Sequence, residues 1–401
     1  MKPMVKGMES NKFTFHRPEL ALQIVSALAG ESLTDTSSGL FLALHRRTGK
    51  STFLRKDLIP ACENRGWLPV YVDLWANKQV SPDVLISRAL ADALQAYDSV
   101  AKKALKAMNV QKVSILRTLN WDLTTGVLPE DATLADAIQL LYQLSGKMVV
   151  LIIDEAQHAL TSDAGMNAMF ALKAARDRMN LSAEHEDGLR LVFTGSNRDK
   201  LGNLVHKRTQ PFFGAQITPF PVLGNDYVEA FTAFFNKRLS AENQFGADDL
   251  KEAFQQTGHR PELLMALATE VGMGLGAAPD TGRLIRDGVL NLLVGVWDEY
   301  ESAYNQLTTI QQAVLEVMGD QHRKGPGHEF APFKTATVGA VQKYVELMGE
   351  SNKVTNSGIQ SALDALREAE LVWKPARGSY TFEDAGMVEW LANRREVEAD
   401  E

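Results

Sequence analysis

Short apolar runs alternate with stretches of helical spacing through the first half of the chain, and this rhythm predicts a parallel α/β sheet. Gly39-Leu40-Phe41-Leu42-Ala43-Leu44 reads as a buried strand, with a helix following from about Ser51. Leu68-Pro69-Val70-Tyr71-Val72-Asp73-Leu74 forms a second strand, and Val80 to Ala96 has helical spacing with Ser81-Pro82-Asp83 as its start. Val113 to Leu123 partly alternates and reads as an extra strand or hairpin. Asp136 to Leu144 is helical, and Met148-Val149-Val150-Leu151-Ile152-Ile153 is the strongest strand in the chain. A helix over Met166 to Met179 precedes another strand, Leu189-Arg190-Leu191-Val192-Phe193-Thr194.

From about Asn225 the pattern is entirely helical to about Tyr304. The last hundred residues change again. Thr308 to Met318, Val338 to Leu347 and Ser357 to Glu370 read as three helices. Leu371-Val372-Trp373-Lys374, a Pro375-Ala376-Arg377-Gly378 turn and Ser379-Tyr380-Thr381-Phe382 follow as a β-hairpin, which completes a winged helix. The expected division is an α/β core over 1–220, a helical lid over 221–304 and a winged-helix domain over 305–401.

Composition narrows the function classes. At 401 residues the chain is too long for one ordinary core, and 45% hydrophobic with 23% charged residues is ordinary globular usage. A net charge of −8 argues against coating nucleic acid through bulk positive charge. The lone cysteine, Cys62, excludes an internal disulfide framework and fits a reducing compartment. Met1 to Lys12 is polar and lacks the apolar core of a secretory signal, and no run approaches the ~20 apolar residues that span a bilayer. The expectation is a cytoplasmic protein without a membrane partner.

The chemistry begins between the first strand and the following helix, at Leu44-His45-Arg46-Arg47-Thr48-Gly49-Lys50-Ser51. A phosphate-binding loop needs that setting, because backbone N–H groups and a helix N-terminus then face the anion. Lys50 supplies charge for the β- and γ-phosphates, the Ser51 hydroxyl can ligate Mg²⁺, and Gly49 allows close backbone approach. The expected nucleotide-binding run is Arg47, Thr48, Gly49, Lys50, Ser51 and Thr52. It departs from G-x-x-x-x-G-K-[ST] at its first position, where Leu44 stands for glycine.

An apolar strand ending in Asp154-Glu155 delivers two carboxylates to the sheet's C-terminal edge, where ligand sites of α/β proteins lie. Asp154 would hold Mg²⁺ and Glu155 would orient and deprotonate the attacking water. Beyond the next strand, Thr194-Gly195-Ser196-Asn197 offers a polar side chain, Asn197, to the space between carboxylates and γ-phosphate; a turn with purely local hydrogen bonds is the competing reading. Among the basic residues Arg198, Lys200, His206, Lys207 and Arg208, Arg208 is the candidate for a neighbouring subunit's site, set against plain surface solvation. In Gly258-His259-Arg260-Pro261-Glu262, Arg260 is the candidate phosphate sensor, with helix capping as the alternative.

These motifs resemble those of the AAA+ and STAND P-loop ATPases over roughly residues 12 to 395. Arg46-Arg47-Thr48-Gly49-Lys50-Ser51 is similar to the phosphate loop of archaeal-type STAND ATPases. Ile153-Asp154-Glu155-Ala156-Gln157-His158 is similar to the Walker B segment of AAA+ transposition regulators and origin-recognition initiators. The resemblance implies a P-loop NTPase core, ATP and Mg²⁺ as ligands, Lys50 and Ser51 at Walker A, and Asp154 and Glu155 at Walker B. It puts Asn197 near sensor 1 and Arg260 near sensor 2.

Three functions stay open from sequence. One is an oligomerising ATPase that acts on DNA, with Lys102-Lys103 or Lys106 gripping it from basic loops. Another is a STAND-like switch held off by bound nucleotide. The last is a non-hydrolysing scaffold. For the winged helix, residues 301–401 hold 16 acidic against 10 basic side chains, and the third helix sets Asp364, Glu368 and Glu370 against Arg367. That balance favours a protein partner or a fold-back contact over DNA phosphate.

Overall fold

The computed structural model describes residues 13–43, 48–97, 132–180, 188–272, 280–325, 330–376, 378–384 and 386–400. The expected element over Val113 to Leu123 and the lysines 102, 103 and 106 lie outside these residues, as do Leu44, Arg46 and Arg47. The described residues form two compact units. One takes those of 16–46 and 50–221; the other takes those of 222–401 together with Phe13 to Phe15 and Thr48 to Gly49.

The first unit is built on five parallel strands: β1 (Leu40–Ala43), β2 (Leu68–Asp73), β3 (Val149–Asp154), β4 (Leu189–Gly195) and β5 (Ile217–Pro219). Their order across the sheet is β2-β3-β4-β1-β5. Side chains alternate between faces along each strand. Val149, Leu151 and Ile153 of β3, with Val70, Val72, Leu191 and Phe193, face helices α4 (Pro82–Gln95), α5 (Leu134–Ser145) and α6 (Asp163–Asn180). Val150, Ile152, Leu42 and Val192 face the opposite way, onto α1 (Pro18–Leu28) and the helix that begins at Lys50. The all-buried pattern of β3 is therefore the consequence of two covered faces.

The helix at Lys50 is interrupted. It starts as α2 (Lys50–Phe53), passes through a π-helical turn (Leu54–Leu58) and continues as α3 (Ile59–Asn64). Phe53, Leu54, Leu58 and Cys62 are buried along this run on the face turned to α1 and the sheet. Helix α5 is fixed at both ends: Thr133 Oγ1 accepts from Asp136 N at 3.1 Å, and Gly146 closes it in the left-handed conformation at φ 64°.

Several elements went unmarked by the sequence pattern. Helix α1 has Pro18 in its first turn and buries Ala21, Ile24, Val25 and Leu28. Strand β5 is three residues long, too short for any periodicity. A 3₁₀ turn (Ala156–Thr161) follows β3, and a five-residue α7 (Arg198–Gly202) follows β4.

The second unit is helical up to its hairpin. Helices α8 (Asn225–Asn236), α9 (Ala247–Gln256), α10 (Pro261–Gly272) and α11 (Thr281–Asn305) enclose a core of Tyr227, Phe231, Phe254, Leu264 and Ile285. Phe13 adds an edge-on contact with Phe231 at 5.4 Å. Helices α12 (Thr309–Arg323), α13 (Thr335–Leu347) and α14 (Asn356–Glu368) then pack with the antiparallel pair β6 (Val372–Ala376) and β7 (Ser379–Phe382) in the winged-helix arrangement. Pro375 and Ala376 extend β6 rather than forming the turn, since Ala376 still pairs with Ser379. Helix α15 (Gly386–Asp400) closes this region through Met387, Val388, Trp390 and Leu391. Among the described residues no helix is long and apolar enough to cross a membrane.

Candidate active site

Strand parity assembles the site. Asp154 shares its face with Val150 and Ile152, which is the face covered by the helix that starts at Lys50. Tyr71 of β2 and Thr194 of β4 have the same parity and flank it in the sheet. Asp154 is fully buried and collects donors on both oxygens. Oδ1 takes the Lys50 ammonium at 2.8 Å, the Glu155 N–H at 3.0 Å and the Thr194 hydroxyl. Oδ2 takes the Ser51 hydroxyl at 2.8 Å and the Tyr71 hydroxyl at 2.9 Å.

Glu155 leaves the strand in the left-handed conformation, φ 55°, which a non-glycine residue adopts only where its surroundings impose it. That turn carries its carboxylate to Lys50, with which Oε1 forms an ion pair. Oε2 accepts from Gln157 Nε2 and from the Ser196 hydroxyl at 2.7 Å. Lys50 is itself only 7% exposed, so one buried cation is shared by two carboxylates.

Burial drives the Asp154 carboxyl upward, but Lys50 and the hydrogen bonds from Lys50, Thr194 and Ser51 outweigh it and hold the group below its ordinary value. Glu155 behaves alike: burial raises it, and Lys50, Ser196 and Gln157 bring it below the usual carboxylate range. Both are therefore ionised at neutral pH. Burial, followed by the Asp154 charge, pushes the Tyr71 phenol far up, so it acts as a donor only. Cys62 is pushed up to about 12, chiefly by burial, which makes it an inert thiol rather than a nucleophile.

The other residues singled out from sequence fall as follows. Gly49 has φ 86°, a conformation that favours glycine, and Thr48 is buried, while Thr52 is exposed on the first helical turn. Asn197 does not touch either carboxylate: its Oδ1 caps α7 by accepting from Lys200 N at 2.7 Å. Arg208 is exposed. Arg260 lies in the second unit, where its guanidinium is paired with Asp384. Sequence reading missed Tyr71, Thr194, Ser196 and Gln157. The first two could have been found by counting alternate positions outward from Asp154; Ser196 and Gln157 carry no such signal.

Hard oxygen ligands, a hydroxyl and a carboxylate meeting beside a lysine, suit Mg²⁺, which takes few protein ligands and leaves the rest to water and phosphate. Among the described residues no group of three His, Cys, Asp or Glu side chains converges as a cage for another metal.

A parallel sheet in this order, a Lys-Ser pair opening the helix after β1 and an Asp-Glu pair at the end of β3, with β4 between the two strands, define the α/β P-loop NTPase fold. No family model and no curated protein matches the chain. Among solved structures it is similar to the Walker-type ATPase PABY2304 of Pyrococcus abyssi, with a TM-score of 0.57 and 17% identity over 94% of this chain and 95% of that one. It is also similar to the ORC2 protein of Aeropyrum pernix in ADPNP–ADP complexes, with a TM-score of 0.52 and 13% identity over 98% of each chain. The ADP form of that protein gives a TM-score of 0.53 at 13% identity over 97% of each chain. At such identities the likeness establishes the fold.

Proposed function

We propose that the protein binds ATP with Mg²⁺ and hydrolyses it to ADP and phosphate. The observation that carries this reading is the meeting of the Lys50 ammonium, the Ser51 hydroxyl and the ionised Asp154-Glu155 pair at the C-terminal edge of a parallel sheet. Arg47, Thr48, Gly49, Lys50, Ser51 and Thr52 line the phosphates, and Lys50 turns from the carboxylates to the β- and γ-oxygens. Ser51 and Asp154 hold Mg²⁺, which when bound neutralises phosphate charge. Glu155 then has one carboxylate oxygen released by Lys50, and this oxygen orients the attacking water and accepts its proton.

Local observations support finer assignments. Arg208, exposed, is available to a second copy of the chain, which ties turnover to oligomerisation. For Arg260, the pairing with Asp384 supports a sensor role in that its guanidinium takes an anionic partner. Asn197 acts by capping the helix after β4, which fixes the backbone at Ser196. In the winged helix Arg367 is paired with Asp364 at 3.2 Å, and this supports a protein partner over DNA for α14.

The Arg260–Asp384 pair favours a second reading, a STAND-like switch. It joins the start of α10 to the segment after the hairpin, an ion pair whose loss would loosen the winged helix on α10. Turnover with and without double-stranded DNA, alongside mass distribution in each nucleotide state, separates the two: DNA stimulation with ATP-dependent assembly marks the motor, slow turnover indifferent to DNA the switch.

The site itself is tested with two variants. Lys50→Ala should abolish binding of a fluorescent ATP analogue, and Glu155→Gln should keep ATP bound while nearly stopping hydrolysis. Parent-like hydrolysis by Glu155→Gln would show that another group activates water.

A further inference from the structure

The mechanism uses one oxygen of Glu155, and the structure shows what occupies the other. Oε2 receives three donors: Gln157 Nε2, the Ser196 hydroxyl at 2.7 Å and the Ser196 N–H at 3.3 Å. Gln157 Nε2 also donates to Ser196 Oγ at 3.2 Å, so the two side chains are joined before they reach the carboxylate. Both are nearly sealed from solvent, Gln157 at 4% and Ser196 at 5% exposure. Room for the amide comes from Gly195: a Cβ there would stand 2.5 Å from Gln157 Oε1. The next neighbours of that Cβ, Leu201 Cβ and Cδ1, stand at 3.4 Å, and Gly195 lacks the left-handed backbone of Gly49.

We propose that Gln157 and Ser196 are positioning residues for Glu155, forming a bracket that commits Oε2 and leaves Oε1 as the single working oxygen. The inference rests on Glu155 being the water-activating base. Two consequences follow from the geometry. The bracket holds a left-handed residue whose side chain would otherwise swing, and a misplacement of about 1 Å costs on the order of 100-fold in rate. Gly195 is retained for space rather than for backbone freedom, so a methyl at that position displaces the amide.

Gln157 Oε1 is buried without a hydrogen-bond partner among the described residues, so Gln157→Leu deletes a donor to Glu155 without orphaning a donor elsewhere. The test measures ATP turnover for the parent, Q157L, S196A, S196T, G195A and E155Q. Affinity for a fluorescent ATP analogue checks that each variant is folded. Q157L, S196A and G195A should lose roughly tenfold or more in kcat, with KM and nucleotide affinity within about twofold. S196T, which keeps the hydroxyl, should retain most of the parent's kcat. Should E155Q be inactive while Q157L and S196A keep the parent's kcat, the bracket is overturned and the base stands. Parent-like hydrolysis by E155Q overturns both.

Discussion

Replacing Lys50 with methionine should destabilise the fold, quite apart from nucleotide. The substitution keeps the length and most of the apolar stem while removing the one cation shared by Asp154 and Glu155. Breaking a buried ion pair by removing one partner costs about 3–5 kcal/mol. Two features reduce that figure here. Asp154 keeps hydrogen bonds from Ser51, Tyr71, Thr194 and the Glu155 N–H, and the Glu155 side chain is 16% exposed. About 2–4 kcal/mol remains, or roughly 5–15 °C in Tm for a unit of this size.

The pH dependence separates this from a packing defect. In the parent both carboxylates are depressed, so their stabilisation is present above the unfolded value of about 4 and is lost as pH falls through the lower folded value. Without Lys50 the influence that most lowers both carboxyls is gone, and their folded values rise. Relative to the parent, the variant is then penalised at high pH and relieved as pH falls through its raised values. Thermal unfolding of parent and Lys50→Met from pH 4 to 8 should give a gap that is widest above about pH 6 and narrows toward pH 4. Adding Glu155→Gln, which removes one orphaned charge, should recover part of the gap at pH 7. A Tm change below one degree, or a gap constant with pH, would refute the picture of a cation shared by two buried carboxylates.

Three further predictions come from local geometry. Tyr71→Phe removes one of the two donors to Asp154 Oδ2 and should cost about 1.5–3 kcal/mol at pH 7 by chemical denaturation, less once Asp154 is protonated. Gly165→Ala sets a Cβ 2.4 Å from the Ala159 carbonyl oxygen, a backbone atom that cannot swing aside, and should lose about 1–3 kcal/mol or more. Gly339→Ala, inside α13 with nothing within 4 Å of the new Cβ, should instead gain about 0.5–1 kcal/mol, and thermal unfolding of the two variants reads both signs.

What the sequence made legible is what periodicity encodes. Strand β3 stood out because both of its faces are covered, so its apolar run is unbroken and its end delivers Asp154 and Glu155 without ambiguity. The lysine and serine opening α2 were equally plain. Residues chosen by tertiary neighbours were not. Asn197 looked the more chemical of two adjacent polar residues, yet β4 runs through Gly195 and turns so that Ser196 meets Glu155 while Asn197 caps the next helix. Gln157 became part of the site only because Glu155 adopts a left-handed turn that brings residue 157 back beside it. Helix α1 escaped because apolar residues also stand off its buried face, Leu22 being exposed beside the buried Ala21, Ile24, Val25 and Leu28, which blurs the helical period. Arg260 illustrates the opposite case: a plausible sensor by sequence whose observed partner, Asp384, lies 124 positions away.

The π-helical turn at Leu54–Leu58 bears on how this chain can change in length. A π turn spends one residue more than an α turn on each hydrogen-bonded loop. Pro60 stands two residues beyond the turn, has no N–H to donate and would crowd the Lys56 carbonyl in a regular α-helix, so the wide turn carries the helix past it. Loss of one residue, such as the exposed Arg55, removes the extra residue but leaves the proline to kink the α-helix, whereas gain of one residue would rotate Leu58 and Cys62 out of the core by about 100°. Of the two length changes in the helix that begins with Lys50, deletion is the milder.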